Sequence, residues 1–306
     1  MGTKISMVTV SQPLFRFSSG GSIKLSARAA SHCLKEAGIN PCDLGLLINT
    51  GIYRFKNTGE PAVAALIQNK IGAYSTENIT QENNSENSKT TFSFDLNNGG
   101  CGWLSGIQII DSFIRTGKIL YGMVVTGDSE PFKGISENFN FEPAAAAIIL
   151  SKSDDFKGFS LFRSYSFPEY NEELISSTYN GHLRGKRGKG NILSIKQKET
   201  YLDLCADCAS ESLKKFLIEA GIVLNEIDLV IPSQSPEGFI SGMKKRIGMN
   251  DNFVEITKTG NKELHTAGPA FALKKAWDDK RFRTSKNIIF MTVGSGISVA
   301  FAHYKN

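Results

Sequence analysis

Hydrophobic and polar positions alternate along this chain in two distinct rhythms. Residues 29–38 and 209–221 carry apolar side chains at helical spacing, and both runs stop at a glycine, Gly38 and Gly221. Each is followed by a short linker, an Asp-Leu pair and a short β-like apolar run, at Asp43–Gly51 and Asp228–Gln234. A second pair of units repeats the theme. Helix Gly106–Gly117 precedes strand Ile119–Asp128, and helix Ala270–Trp277 precedes strand Asn287–Ser295. Both halves then close on one more β-like run, Ala146–Ser151 and Gly296–Ala302. The spacing between counterparts is 220 − 37 = 183, 228 − 43 = 185 and 294 − 127 = 167 residues.

Helices alternating with strands imply a mostly parallel sheet in each half. The pattern predicts a duplicated α/β molecule with halves at 1–165 and 166–306, sharing one core. Ligands of such folds sit beyond the carboxyl ends of strands, where units meet. The Gly-rich strand ends therefore become the place to look for chemistry. Two segments read as solvated loops. Ser75–Thr90 is rich in Asn, Glu, Ser and Gln, and Arg184–Gly190 interleaves four basic residues with glycine.

Composition narrows the classes. The 306 residues are 41% hydrophobic and 21% charged, as in an ordinary globular protein. A net charge of +5 is too mild for a nucleic-acid stripe. The longest apolar run, Pro143–Leu150, is far below the ~20 residues of a membrane span. Five cysteines do not make a disulfide framework, and the N-terminus has no secretory h-region, so a cytoplasmic location is expected. Cys205-Ala-Asp-Cys208 lies in an amphipathic helix without a second Cys pair, which predicts a structural role and no metal.

The most informative stretch is Phe94-Asp-Leu-Asn-Asn-Gly-Gly-Cys-Gly-Trp-Leu-Ser-Gly106. A β-like run enters a Gly-rich turn, and a helix starts near Trp103. A cysteine at such a turn sits at the positive end of the helix dipole, which favours the thiolate. Cys101 is thus the candidate nucleophile. His265, in Gly260-Asn-Lys-Glu-Leu-His-Thr-Ala-Gly268, holds the corresponding helix-start position of the second half. The internal repeat would bring the two together.

These residues resemble the thiolase superfamily, most closely its β-ketoacyl-[acyl-carrier-protein] synthase III branch. The resemblance spans about residues 26–303. It is carried by the Cys101 turn, Val230-Ile-Pro-Ser-Gln-Ser235, Met243–Gly248, Gly260-Asn261, His265-Thr-Ala-Gly268 and Thr292-Val-Gly-Ser-Gly296. It implies duplicated βαβαβαββ halves in a layered αβαβα core, a homodimer, and an acyl group loaded on cysteine and passed to a second substrate, as in fatty-acid or secondary-metabolite biosynthesis. Acyl-carrier protein or coenzyme A would bring the acyl group, with no further cofactor. Backbone at Gly100, Ser295 and Gly296 would bind the developing oxyanion. Lys244, Lys245 and Arg246 would dock the acidic carrier protein.

Three departures qualify that expectation. The gapless match puts Gly100 in the family's nucleophile slot and Cys101 one place later, a rotation of about 100° on a helix. Ser233 replaces the histidine of the family's Ile-Pro-His-Gln segment, and Ser is no base near neutral pH. The N-terminal segment that supplies the family's nucleotide grip is short. His265 and Asn261 compete for the remaining catalytic slot, and a Cys101–His265 dyad is the favoured arrangement. A second reading follows from the same departures: a catalytically inactive subunit that pairs with an active ketosynthase as a heterodimer.

Overall fold

The computed structural model describes residues 2–13, 21–74, 90–132, 134–153, 155, 157–182, 189–249, 251–256 and 262–306. Strands β1 (Gly2–Ser11), β2 (Leu44–Asn49), β3 (Phe92–Asp95), β4 (Tyr121–Asp128) and β5 (Ala144–Ser153) form one sheet, in the order β1-β5-β4-β2-β3. Strands β6 (Gly158–Ser166), β9 (Leu229–Pro232), β10 (Asn287–Gly294) and β11 (Ser298–Lys305) form the second, in the order β6-β11-β10-β9. A separate hairpin joins β7 (Leu174–His182) to β8 (Lys189–Gln197).

Pairing repeats between the sheets. β2 runs parallel to β4 as β9 runs parallel to β10, and an antiparallel β5 or β11 follows. Among the described residues the second sheet has no full counterpart of β3: a single bridge between Val230 and Phe253 stands there. β4, β5 and β10 are almost wholly buried, so their sequences are mostly apolar and not regular alternations.

Two helices fill the space between the sheets, α3 (Gly102–Arg115) and α6 (Gly268–Asp278). Their buried faces share one core with the sheets' inner faces, from Trp103 and Ile107 to Phe290 and Leu273. Helices α1 (Ser22–Ala37) and α2 (Val63–Ile71) cover the outer face of the first sheet. Helices α4 (Tyr201–Ala220) and α5 (Phe239–Ile247) cover the second; the short α7 (Arg281–Thr284) precedes β10. The result is the layered αβαβα, thiolase-like architecture. Gly38 and Gly221 end α1 and α4 in the left-handed conformation, where a Cβ would cost energy.

Of the two expected loops, residues 75–89 and 183–188 lie outside the described residues. Lys189 and Gly190 belong to β8, because the antiparallel ladder with β7 carries them past the Gly-rich stretch.

Candidate active site

The segments leading into α3 and α6, the loop after β2 and the carboxyl ends of β9 and β10 meet at one small cavity of about 60 Å³. Both halves line it. Tyr53, Gly99, Gly100 and Phe141 come from the first, and Ser233, Ser235, His265 and Ser295 from the second. By the size of a water probe it holds about four waters. A larger cavity of about 470 Å³ lies behind the same wall, where Glu142, Gln234 and Leu264 alternate with the site residues Phe141, Ser233 and His265. The ionisable ring of His265 faces the smaller one, so the chemistry belongs there.

His265 is the best-anchored side chain of the site. Its Nδ1 lies 3.1 Å from Asp128 Oδ2, and its ring packs against the stacked Tyr53–Phe141 pair, with centroids 5.0 and 4.6 Å away. Asp128 ends β4 and is 2% exposed. A buried carboxylate must be paired and hydrogen-bonded. Asp128 Oδ1 accepts from the N–H groups of Ile52 (2.9 Å) and Tyr53 (2.8 Å). Its Oδ2 accepts from the Thr266 N–H (3.0 Å) and hydroxyl (2.5 Å). Burial by itself pushes this carboxyl's pKa up, but the His265 charge and these hydrogen bonds outweigh it, and the net shift is downward. Tyr53 goes the other way: burial, then the Asp128 charge, push its phenol well up, away from the working range of an acid near neutral pH.

The Gly99–Cys101 turn has a different character. Gly99 holds φ +48, and the N–H groups of Gly99 and Gly100 have no hydrogen-bond partner among the described residues. A Cβ built on Gly100 would stand 2.1 Å from the Val293 carbonyl oxygen, so the turn is pressed against the end of β10. Cys101 is 1% exposed, and its thiol donates to the carbonyls of Thr292 (3.5 Å) and Ser298 (3.4 Å). Burial pushes it up to about 12. It belongs to the apolar core and does not line the cavity. The structure therefore does not bring Cys101 to His265: the helix start turns its side chain away, as the one-residue displacement allows.

Other expected site residues divide. Ser233 is 4% exposed, and its Oγ accepts from the Val293 N–H at 3.1 Å. Ser295 reaches the cavity, whereas Gly296 (φ +113) shapes the turn behind it. Asn261 lies outside the described residues. Among those described, no group of three or more His, Cys, Asp or Glu could hold a metal, and no helix is long and apolar enough to cross a membrane.

Comparison with known proteins agrees with the architecture. The C-terminal family model of 3-oxoacyl-[acyl-carrier-protein] synthase III matches residues 217–305. A β-ketoacyl-[acyl-carrier-protein] synthase III of Aquifex aeolicus is 24% identical over 280 residues, covering 90% of this chain and 81% of that protein. One from Vesicomyosocius okutanii is 26% identical, covering 90% and 80%. The crystal structure of the Aquifex enzyme superposes with a TM-score of 0.79 at 19% identity, covering 100% of both chains. The chain is a distant homologue of the synthase III proteins. Xanthomonas campestris OleA with bound lauric acid and lauroyl-CoA matches it as well, at TM-score 0.80 and 16% identity, over 100% of this chain and 99% of that one.

In this synthase III homologue the basic cluster at the end of α5 is not a free cationic surface. Arg246 is tied to Asp207 (2.7 Å) and Asp203 (3.1 Å), and Lys244 to Glu255 (3.5 Å). Of the three only Lys245 is exposed, so the expected docking patch is largely neutralised by Asp203 and Asp207 on α4 and by Glu255. Asp128, Tyr53 and Thr266 escaped the sequence reading. One signal was present: a carboxylate at the carboxyl end of an otherwise apolar strand has to find a partner.

Proposed function

We propose that this chain is the non-loading subunit of a condensing-enzyme pair: a synthase III-like protein that forms no acyl-cysteine and pairs with an acyl-loading relative. The observation that carries the reading is the Gly99–Cys101 turn. Its cavity-facing position has no space for a side chain, and the neighbouring thiol is bonded into the core. Acyl transfer through Cys101 would need that thiol to leave two carbonyl acceptors and lose its proton from a pKa of about 12.

Pairing has its own support. β3 is the outermost strand of the first sheet, and no described strand covers its far side. Phe92 on it is 60% exposed and packs on Phe94 at 5.4 Å. An open, aromatic edge strand is a template for another chain.

The test is direct. Wild-type protein and Cys101→Ala are incubated with acetyl-CoA, lauroyl-CoA and acyl-carrier-protein thioesters, and intact masses are taken. The expected result is no covalent adduct in either. A wild-type adduct that is missing in Cys101→Ala overturns the reading. Mixing with an acyl-loading condensing enzyme of the same organism should give a 1:1 complex with altered turnover, read by light scattering and product formation.

A further inference from the structure

A second cleft, of about 430 Å³, lies at the opposite end of the sheets from the His265 cavity. β5 and β11 run antiparallel to β4 and β10, so they lead away from that cavity, and Ser153 and Tyr304 near their ends line the cleft. The two share no lining residue. Three cations reach the cleft from separate elements: Lys4 from β1, Lys157 from just before β6 and Arg283 from α7. All are exposed, and none has an ion-pair partner among the described residues. Asp155 is the acidic side chain on the wall, which leaves a side-chain charge of 3 − 1 = +2. Like charges gathered in this way repel one another, a cost that a bound anion removes. The floor is aromatic. Trp277 is half-buried and stacked on Phe282 at 5.4 Å, and the Arg283 guanidinium lies 5.1 Å from its ring centroid. Tyr304 is 3% exposed, and its hydroxyl accepts from the Ile5 N–H at 3.4 Å. Its own proton has no acceptor among the described residues. Burial pushes the phenol's pKa up, so the proton stays on and the buried donor is unmet.

We propose that this cleft binds a nucleoside phosphate. Packing of the core accounts for the buried Phe282 and Tyr304 rings, but not for three unpaired cations and a spare hydroxyl proton converging on one opening. The phosphate oxygens accept from Lys4, Lys157 and the Tyr304 hydroxyl. Arg283 is exposed, so its guanidinium can leave the Trp277 ring for a phosphate oxygen, and the base takes its place on the indole. A bare phosphate would leave the aromatic floor unused, and an uncharged ring would leave the cations unpaired. The volume lies within the range of small-ligand pockets, about 300–1,000 Å³. Binding is non-covalent, and because the cleft stands apart from the His265 cavity it is independent of the non-loading reading.

The experiment is calorimetric titration with ADP, pyrophosphate and adenosine, with tryptophan fluorescence read on the same samples. The chain has two tryptophans and Trp103 is wholly buried, so a stacked base should quench Trp277. Wild type should bind one ADP per chain, at least tenfold more tightly than pyrophosphate or adenosine. ADP that does not bind, or either fragment binding as tightly as ADP, overturns the proposal. Lys4→Glu combined with Arg283→Glu should weaken ADP at least tenfold. Both side chains are exposed, so the thermal midpoint should stay near that of wild type. Tyr304→Phe keeps the ring, removes only the donor and should weaken ADP several-fold. Undiminished affinity in either protein overturns the proposal. Trp277→Phe should lose the quench and keep the heat of binding. A quench that survives in it places the nucleotide elsewhere and also overturns the proposal. Failure here leaves the non-loading reading standing, because that reading is decided by the mass of the Cys101 adduct.

Discussion

At the scale of single residues, the difference between a loading and a non-loading turn comes down to two neighbours. Gly100 has no room for a methyl group, because the Val293 carbonyl oxygen would lie 2.1 Å from it. Gly100→Ala should therefore force a backbone shift and cost about 1–3 kcal/mol. A lower urea midpoint would show this; an unchanged midpoint would mean the turn has slack. Cys101 is the complementary case. With a pKa near 12, its thiolate fraction at pH 8 is about 10⁻⁴. Burial likewise pushes Cys33 and Cys205 to about 12 and Cys208 to about 11. Among the five free thiols, Cys42 alone is partly exposed. Ellman's reagent should thus titrate one thiol in native protein, none in Cys42→Ser, and five after denaturation. Rapid reaction of Cys101 in the native protein would contradict its buried placement.

At the scale of elements, most of the architecture was readable in advance. Amphipathic spacing closed by Gly38 and Gly221 marked α1 and α4, and mostly apolar runs marked β4 and β10, because burial on both faces leaves no alternation. The tightness of the Gly99–Cys101 turn was not readable. It is imposed by Val293 and Gly294, nearly 200 residues away, and no local pattern encodes a contact of that kind. The start of β8 at Lys189 escaped for a similar reason: its partner strand β7, not its composition, makes it extended. β3 carries a prediction of its own. A lysine in place of Phe92 puts a charge on the open edge, a device that blocks strand-to-strand association. Phe92→Lys should leave thermal stability nearly unchanged, because the ring is already 60% exposed. It should also weaken pairing with itself or with a loading relative, measured by sedimentation velocity. Undiminished association would place the interface elsewhere.

At the scale of the whole molecule, the two halves are joined through buried polar groups, and this makes stability sensitive to acid in two separate windows. His265 was visible in the sequence because its helix-start position mirrors that of Cys101. Asp128 was not, since its partner lies 137 residues away in the other half. His303 shows the same limit: nothing in its C-terminal position announces that it is 1% exposed, between Ser160 (2.9 Å) and Asn287 (3.1 Å). Burial, then the Lys305 charge, push its pKa down to about 4 from an ordinary 6.5. Between those values the unfolded chain binds the extra proton and the folded chain does not. Stability from His303 is therefore complete above pH 6.5 and is lost as pH falls toward 4, by about 2 kcal/mol at pH 5. Asp128 behaves oppositely. Its carboxyl is held below the ordinary value, so its contribution persists above about pH 4 and disappears only in stronger acid. Urea unfolding at pH 7.5, 5 and 3.5 separates the two. His303→Gln should flatten the loss between pH 7.5 and 5, and Asp128→Asn should flatten the further loss below pH 4 from a lower starting stability. If His303→Gln loses as much stability as wild type between pH 7.5 and 5, another group carries the first window and the buried imidazole is not its source.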